Sequence, residues 1–400
     1  VAALWLAARG LIQFQGDSPR KVGAQIPRVA GDRTGGDMAG WQVDPDVRSA
    51  ATLDAAFYRS EVAFAQSLER IFARTWQWLG PLADVARPGH LSPRCLLPGS
   101  LNEPVLLSRD AAGTLRCLSN VCTHRGNLLV HEACAAQQIR CGYHSRRFDL
   151  AGRMSFMPDF QQALKFPSAS DDLPVVPFAD FHGHGFAAVD PVAPFEDVLR
   201  EVKARIGWLP IGAYRHDPAR DRSFTFDAHW ALYVENYLEG LHIPFLHGGL
   251  MDTLDFAQYR YERSRWANLQ LALAKPGEPA FAPPDTSPDR GQAVAAYYWW
   301  VFPNLMLNFY PWGLSLNQVQ PLAPDRTRVI FRSFVGDPAL LDRGAGGDLD
   351  RVEQEDEAVV LQVQQGVRSR FYRGGRYSPT SEAGVHHFHR LIGELMADRG

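Results

Sequence analysis

The sequence has 400 residues and a formal net charge of −3, which leaves room for two domains or one large one. Its 41 basic and 44 acidic residues give no basic excess for nucleic acid and no acidic block. No run of eighteen or more apolar residues occurs, so no membrane span is expected. Five cysteines, an odd count, fit a reducing cytoplasm better than a disulfide-stapled secreted protein.

Residues 1–40 differ from the rest. A short apolar start, Val1 to Leu6, gives way to Arg, Gly and Pro without a steady period. No basic stretch precedes the apolar start, so it does not read as a signal peptide. Met38 is the natural first residue, and what precedes it is expected to be an over-extended gene model with poor order. Over 41–78 the pattern turns helical: Phe57, Val62, Phe64, Leu68, Ile71 and Phe72 recur mostly at threes and fours. The stretch 79–191 reads as a small antiparallel β-domain. Turns stand at Pro88-Gly89, Pro98-Gly99 and Asp110 to Gly113, and strands at 104–108 and 115–120.

Two short motifs sit on loops of that β-domain. Cys122-Thr123-His124 comes first, and Cys141-Gly142-Tyr143-His144 follows after sixteen residues. Each pair is short enough to grip one cluster from its own hairpin tip. Two cysteines on one iron and two histidines on the other is the ligation of a Rieske [2Fe-2S] centre. A structural zinc site is the plainer alternative, but zinc pairs are usually like with like and these are mixed. His131, His182 and His184 read as surface or strand histidines, and Arg146-Arg147 as a solvated pair of charges.

Residues 192–400 carry a second constellation. A helix is expected over 195–206 and a strand over 223–226. Then comes Glu239-x-x-His242-x-x-x-x-His247. Spacing of three puts Glu239 and His242 on one helical face. Pro244 breaks the helix between the histidines, so His247 can swing back beside His242. A carboxylate would complete a facial triad on iron(II), with positions free for O₂ and substrate. The helix 349–367 offers one. Its apolar stripe (Leu349, Val352, Val359, Val360, Val363, Val367) has Asp356 near its middle, with Glu353, Glu355 and Glu357 further off. A carboxylate facing a core is costly unless paired or metal-bound. The alternative is an Asp356 paired with an arginine. The aromatic run 297–312 reads as strands roofing the pocket, the Pro- and Gly-rich 275–292 as a mobile loop by its entrance, and His386-His387-Phe388-His389 as part of a closing helix. No Gly-x-Gly-x-x-Gly follows a strand, so a reductase must be another chain.

From about Ala55 to the C-terminus the chain resembles the Rieske non-haem iron oxygenases, catalytic alpha subunit. The resemblance rests on Cys122-Thr123-His124-Arg125-Gly126, on Cys141-Gly142-Tyr143-His144 followed by Arg147-Phe148-Asp149-Leu150, and on the His242/His247 motif. Ser145 departs from it, since the family usually has Gly after the last ligand. Respiratory Rieske proteins carry two extra cysteines that clamp the loops; Asn127 and Tyr143 stand there instead. The resemblance implies an α+β fold: a Rieske antiparallel β-domain plus a helix-grip (START/Bet v 1-like) catalytic domain with a curved antiparallel sheet. It implies a [2Fe-2S] Rieske cluster on Cys122, His124, Cys141 and His144, and mononuclear Fe(II) on His242, His247 and Asp356. Glu239 matches the acid that bridges a neighbouring subunit's Rieske histidine to the iron site, hence a homotrimer, and Asn236 often lies near the iron. The implied partners are an NAD(P)H-dependent flavin/iron-sulfur reductase or a ferredoxin, O₂ and a small molecule, with neither nucleic acid nor membrane.

The Val301-Phe302-Pro303-Asn304-Leu305-Met306-Leu307-Asn308 stretch resembles choline monooxygenase-like members. The expected activity is therefore hydroxylation or N-dealkylation of a quaternary or tertiary amine. Aromatic ring hydroxylation is the alternative, and a Rieske electron carrier without oxygenase chemistry ranks lower.

Overall fold

The computed structural model describes residues 41–248 and 253–397. The expectations for residues 1–40 lie outside these described residues. Every sheet among the described residues is antiparallel.

Chain direction changes at short turns, and this builds the β-rich first part. Strands His90–Leu96, Glu103–Arg109 and Leu115–Ser119 form a meander, flanked by Cys134–Ala135 on one edge and Val175–Val176 on the other. The 110–113 turn lies between the second and third strands, with Gly113 at φ +86°. A small three-stranded sheet, Ile139–Arg140, Arg147–Phe148 and Met154–Phe156, packs beside it around Phe148 and Leu118.

The second part is organised by one large sheet. Strands Arg260–Arg263, Ala267–Leu273, Val294–Val301, Leu305–Tyr310, Gly313–Ala323 and Arg326–Val335 lie side by side in chain order. The last also pairs with Arg222–Phe226 and Arg215–His216. Alternation along a strand sends neighbouring side chains to opposite faces. Tyr297, Trp299, Leu307 and Phe309 join a core with Leu199, Val202 and Ile206. Trp300 and Met306 join a different core with the helices Trp230–Tyr237 and Ala383–Ala397. The sheet thus has a helical face and a back face, and the helix Leu349–Gly366 packs on Trp230–Tyr237.

Three expectations change. Helix in the N-terminal stretch is confined to Phe57–Arg59 and Glu61–Phe72, the longer piece capped by Ser60, whose Oγ accepts from Ala63 N–H at 3.1 Å. The residues before it form a turn at 46–50 and then a non-helical stretch, with Thr52 and Ala55 N–H donating to the carbonyls of Gly375 and Arg373. The 275–292 loop is pinned by a buried ion pair: Arg205 Nε donates to Asp289 Oδ2 at 2.6 Å, and Tyr297 Oη donates to the same oxygen at 3.1 Å. Arg146 is not solvated. It is 2% exposed and donates to Asp171 Oδ1 at 2.6 Å, with Phe148 and Phe166 against its guanidinium.

Candidate active site

The two Cys/His motifs fold into loops of matching geometry. Cys122 N–H donates to Asn127 O, and Gly126 N–H donates back to Cys122 O. Cys141 N–H donates to Arg146 O, and Ser145 N–H donates back to Cys141 O. Gly126 and Ser145 occupy equivalent places, at φ +72° and +60°. The fourth residue after each cysteine must turn left-handed to close the loop. Glycine does so freely, and serine pays about 1 kcal/mol. Ser145 gains in return a contact from Arg140, which donates to its Oγ at 2.9 Å.

The donor set suits an iron–sulfur cluster. Cys122 and Cys141 are buried free thiols. Burial works against ionisation of Cys141, but backbone N–H groups of Tyr143 and His144 outweigh it and hold the thiol below its usual value. Tyr143 N–H donates to Cys141 Sγ at 3.5 Å. The His124 and His144 rings lie 4.9 Å apart, and burial lowers the His124 pKa, keeping a neutral ligand nitrogen. His144 Nδ1 is buried without a hydrogen-bond partner.

The second constellation forms where the helix Trp230–Tyr237 ends. Glu239 and His242 do not share that helix, as the spacing suggested; they sit on the turn that follows it. Gly240 makes the turn possible, because a Cβ there would meet Tyr261 Oη at 2.8 Å. Pro244 sits in the first turn of the next short helix, Ile243–Leu246, where its missing N–H costs nothing. Glu239 Oε2 accepts from the backbone N–H groups of Leu241 and His242, and Oε1 lies 2.5 Å from His242 Nδ1.

His242, His247 and Asp356 come together, with a ligand atom of each within 4.8 Å of the others. Asp356 Oδ1 is 3.0 Å from His247 Nε2 and 3.6 Å from His242 Nε2. Glu355 Oε2 lies 2.8 Å from His247 Nδ1. Each imidazole therefore has a carboxylate on Nδ1, which fixes the tautomer and turns Nε2 inward. Burial lowers the His247 pKa, but hydrogen bonds to Asp356 and Glu355 outweigh it and the net shift is upward. Concentrated negative charge around two imidazoles is what a divalent cation would neutralise.

Sequence patterning missed two of these acids. Glu355 stands off the apolar stripe, yet it is the group that holds His247. Glu353 was also placed off the stripe, but it is 7% exposed and more buried than Asp356. The inner face of the helix is partly polar: Tyr233 Oη donates to Glu353 Oε2 at 2.7 Å, and Gln364 Oε1 accepts from His229 N–H at 2.8 Å. Val363, placed in the stripe, is 43% exposed. Burial pushes the Glu353 carboxyl well above the usual range, with Asp356 and Glu357 adding to it.

A cavity opens beside the three converging residues. Asn236, Glu239 and Glu353 line it, with Tyr233, Tyr237, Tyr259, Tyr298, Tyr310 and Phe331. Of the aromatic run, Tyr298 and Tyr310 reach the cavity, whereas Trp299 and Trp300 are core. None of residues 275–292 is among the described lining residues. His386, His387 and His389 lie in the closing helix. They engage Asp44 O, Asn268 Oδ1 and Tyr377 Oη.

These features define an oxidoreductase with an iron–sulfur domain and a mononuclear iron domain. Residues 75–175 match the Rieske [2Fe-2S] domain, and residues 208–398 match the ring hydroxylating alpha subunit (catalytic domain). The chain belongs to the Rieske non-haem iron oxygenases, as a catalytic alpha subunit. It is 29% identical over 367 residues to the carnitine monooxygenase oxygenase subunit of Escherichia coli K12, covering 88% of this chain and 95% of that one. It is 29% identical to chloroplastic choline monooxygenase of Arabidopsis thaliana, covering 88% and 85%. A solved quaternary ammonium Rieske monooxygenase, described in terms of carnitine oxidation and inter-subunit electron transfer, superposes with a TM-score of 0.68 at 24% identity, covering 90% and 97%. Naphthalene 1,2-dioxygenase from Rhodococcus sp. gives 0.65 at 20%, covering 87% and 95%. These two likenesses are of fold. The enzyme uses a Rieske cluster, mononuclear iron, O₂ and a small substrate, with electrons drawn from a reductase. No described helix is long and apolar enough to cross a membrane.

Proposed function

We propose that this enzyme oxidises a quaternary or tertiary amine, by hydroxylation or N-dealkylation. The cavity wall carries the reading. Aromatic side chains line a site that also bears carboxyl groups, and the faces of such rings attract alkylammonium groups by cation–π interaction. An arene would gain from the rings but nothing from the acids. The carnitine and choline monooxygenases named above support the same substrate class.

In this reading Cys122, His124, Cys141 and His144 hold the cluster, and His242, His247 and Asp356 hold the iron. When bound, these groups supply single-electron delivery and O₂ activation. The chain itself orients the ligands. Glu239 and Glu355 hold the Nδ1 atoms of the two histidines, Asp356 closes the third position, and Asn236 stands on the cavity wall. The amine occupies the aromatic side of the cavity, which keeps bulk water from the reacting carbon.

Residues 79–191 would form the Rieske domain and 192–400 the catalytic domain, with 41–78 laid against the latter. The working assembly is a homotrimer, in which His124 or His144 of one protomer meets Glu239 of the next. Supporting this, Tyr143 beside His144 is 59% exposed, so the tip of the second loop is open to a neighbour. The electron donor is an NAD(P)H-dependent flavin/iron-sulfur reductase or a ferredoxin. The free thiols suit the cytoplasm. The test is a single turnover. The iron-loaded, reduced protein is mixed with O₂ and one of a panel: choline, carnitine, betaines, aromatic acids and naphthalene. Mass spectrometry of an oxidised or dealkylated amine is the expected result; oxidation of the arenes alone would overturn the reading.

A further inference from the structure

Charge on the cavity wall narrows the substrate further, given the amine reading above. The described lining residues include the acids Glu239, Glu353 and Asp356, and no Lys or Arg. A carboxylate taken out of water needs a cationic or multiply hydrogen-bonding partner. Away from the metal, the carboxylate of a zwitterionic amine would find no such cation among the described lining residues.

The three acids are not equivalent. Asp356 faces the two imidazoles. Glu239 is already engaged by His242 and two backbone N–H groups. Glu353 is left over. It is 7% exposed and lies one helical turn from Asp356. Its Oε2 takes the Tyr233 hydroxyl, while its Oε1 is buried with no hydrogen-bond partner. A buried, half-satisfied carboxyl is costly unless something pairs with it. Glu353 lines the cavity, and the terminal torsion of a glutamate is soft, so its carboxyl can turn to meet a ligand there. The remaining polar wall is neutral, with Asn308, Gln270 and Ser315. Neutral amides and hydroxyls suit a substrate hydroxyl.

We propose that the substrate is an organic cation without a carboxylate, of the amino-alcohol type, and that Glu353 selects for its positive head. Glu353 is a specificity residue, distinct from the groups that hold the metal.

Calorimetric binding to the iron-loaded enzyme tests this with four ligands: choline, carnitine, glycine betaine, and the uncharged isostere of choline in which tert-butyl replaces trimethylammonium. Choline is expected to bind at least about tenfold more tightly than each of the others, because its positive head favours the charged form of the buried carboxyl. In Glu353→Gln the preference for choline over its neutral isostere collapses. The isostere binds within about twofold of its parent value, and mononuclear iron content stays the same. Glu353→Asp restores part of the preference. Equal or tighter binding of either zwitterion overturns the proposal, as does a Glu353→Gln that weakens all four ligands by one factor. Those outcomes leave the amine reading standing. If none of the four binds and an arene or aromatic acid does, the amine reading itself fails.

Discussion

Glu355 offers a test of how the mononuclear site is built. Its carboxylate lies 2.8 Å from His247 Nδ1, on a ring that is 2% exposed. A hydrogen bond to a charged group contributes roughly 1.5–3 kcal/mol, and a neutral one roughly 0.5–1.5 kcal/mol. Glu355 is 26% exposed and shared with Arg351 at 3.0 Å, so values toward the lower end apply. Glu355→Gln keeps a neutral acceptor and should lose about 1 kcal/mol, or roughly fivefold in iron(II) affinity. Glu355→Ala leaves Nδ1 unpaired and frees the ring to turn. It should lose about a hundredfold, the upper end for loss of a group supporting a metal-bound histidine. The assay is iron(II) titration of protein stripped at the mononuclear site, with Rieske absorbance as the internal standard for folded chains. If Glu355→Ala binds iron as tightly as the parent with its cluster intact, the carboxylate does not orient His247. The argument that His247 presents Nε2 would then fall with it.

Four other outcomes are expected. Ser145→Gly removes left-handed strain at φ +60° and should stabilise the cluster domain by up to about 1 kcal/mol; a lower melting temperature would show that the Arg140 contact matters more. Asp171→Asn removes the negative charge facing a guanidinium that is 2% exposed but keeps an acceptor oxygen, and should destabilise the same domain by about 1 kcal/mol, the difference between a charged and a neutral hydrogen bond, read by denaturant titration of cluster absorbance. For Asp171, burial raises the pKa but donors from Arg146 and Ser168 outweigh it, so the folded value is depressed. The pair's contribution is therefore full at neutral pH and is lost as pH falls below about 4; the parent should lose stability there more steeply than Asp171→Asn, and parallel curves would refute the assignment. His144→Ala should abolish the Rieske EPR signal while iron still binds at His242 and His247. Glu239→Gln should retain both spectra yet slow single-turnover oxidation of the pre-reduced cluster; a stopped-flow rate equal to the parent's would remove Glu239 from the transfer path.

Much of the site was legible because metal-site chemistry is written in local spacing. Cys122-x-His124 and Cys141-x-x-His144 each fit one loop, and His242 and His247 are close enough in sequence that one proline and one turn decide their approach. Asp356 was reachable because an acid among valines on a helix is conspicuous. The reading faltered where polar groups are buried against other polar groups. Glu353 and Gln364 face inward because Tyr233 and the His229 N–H meet them, and no periodicity of valines reveals a partner more than a hundred residues away. Arg146 was misread for the same reason, since its solvation depends on Asp171, Phe148 and Phe166 folding around it.

By itself, then, the sequence determined the two cofactors, the class of chemistry and the residues proposed to hold them. These follow from residue type and short-range spacing, which the covalent chain imposes before folding. Only the tertiary structure decided which carboxylates serve His242 and His247, which aromatic residues face the cavity rather than the core, and that no lysine or arginine stands among the described residues of its wall. Those are matters of which side of a strand or helix meets which neighbour, and they are settled by packing between segments far apart in the chain.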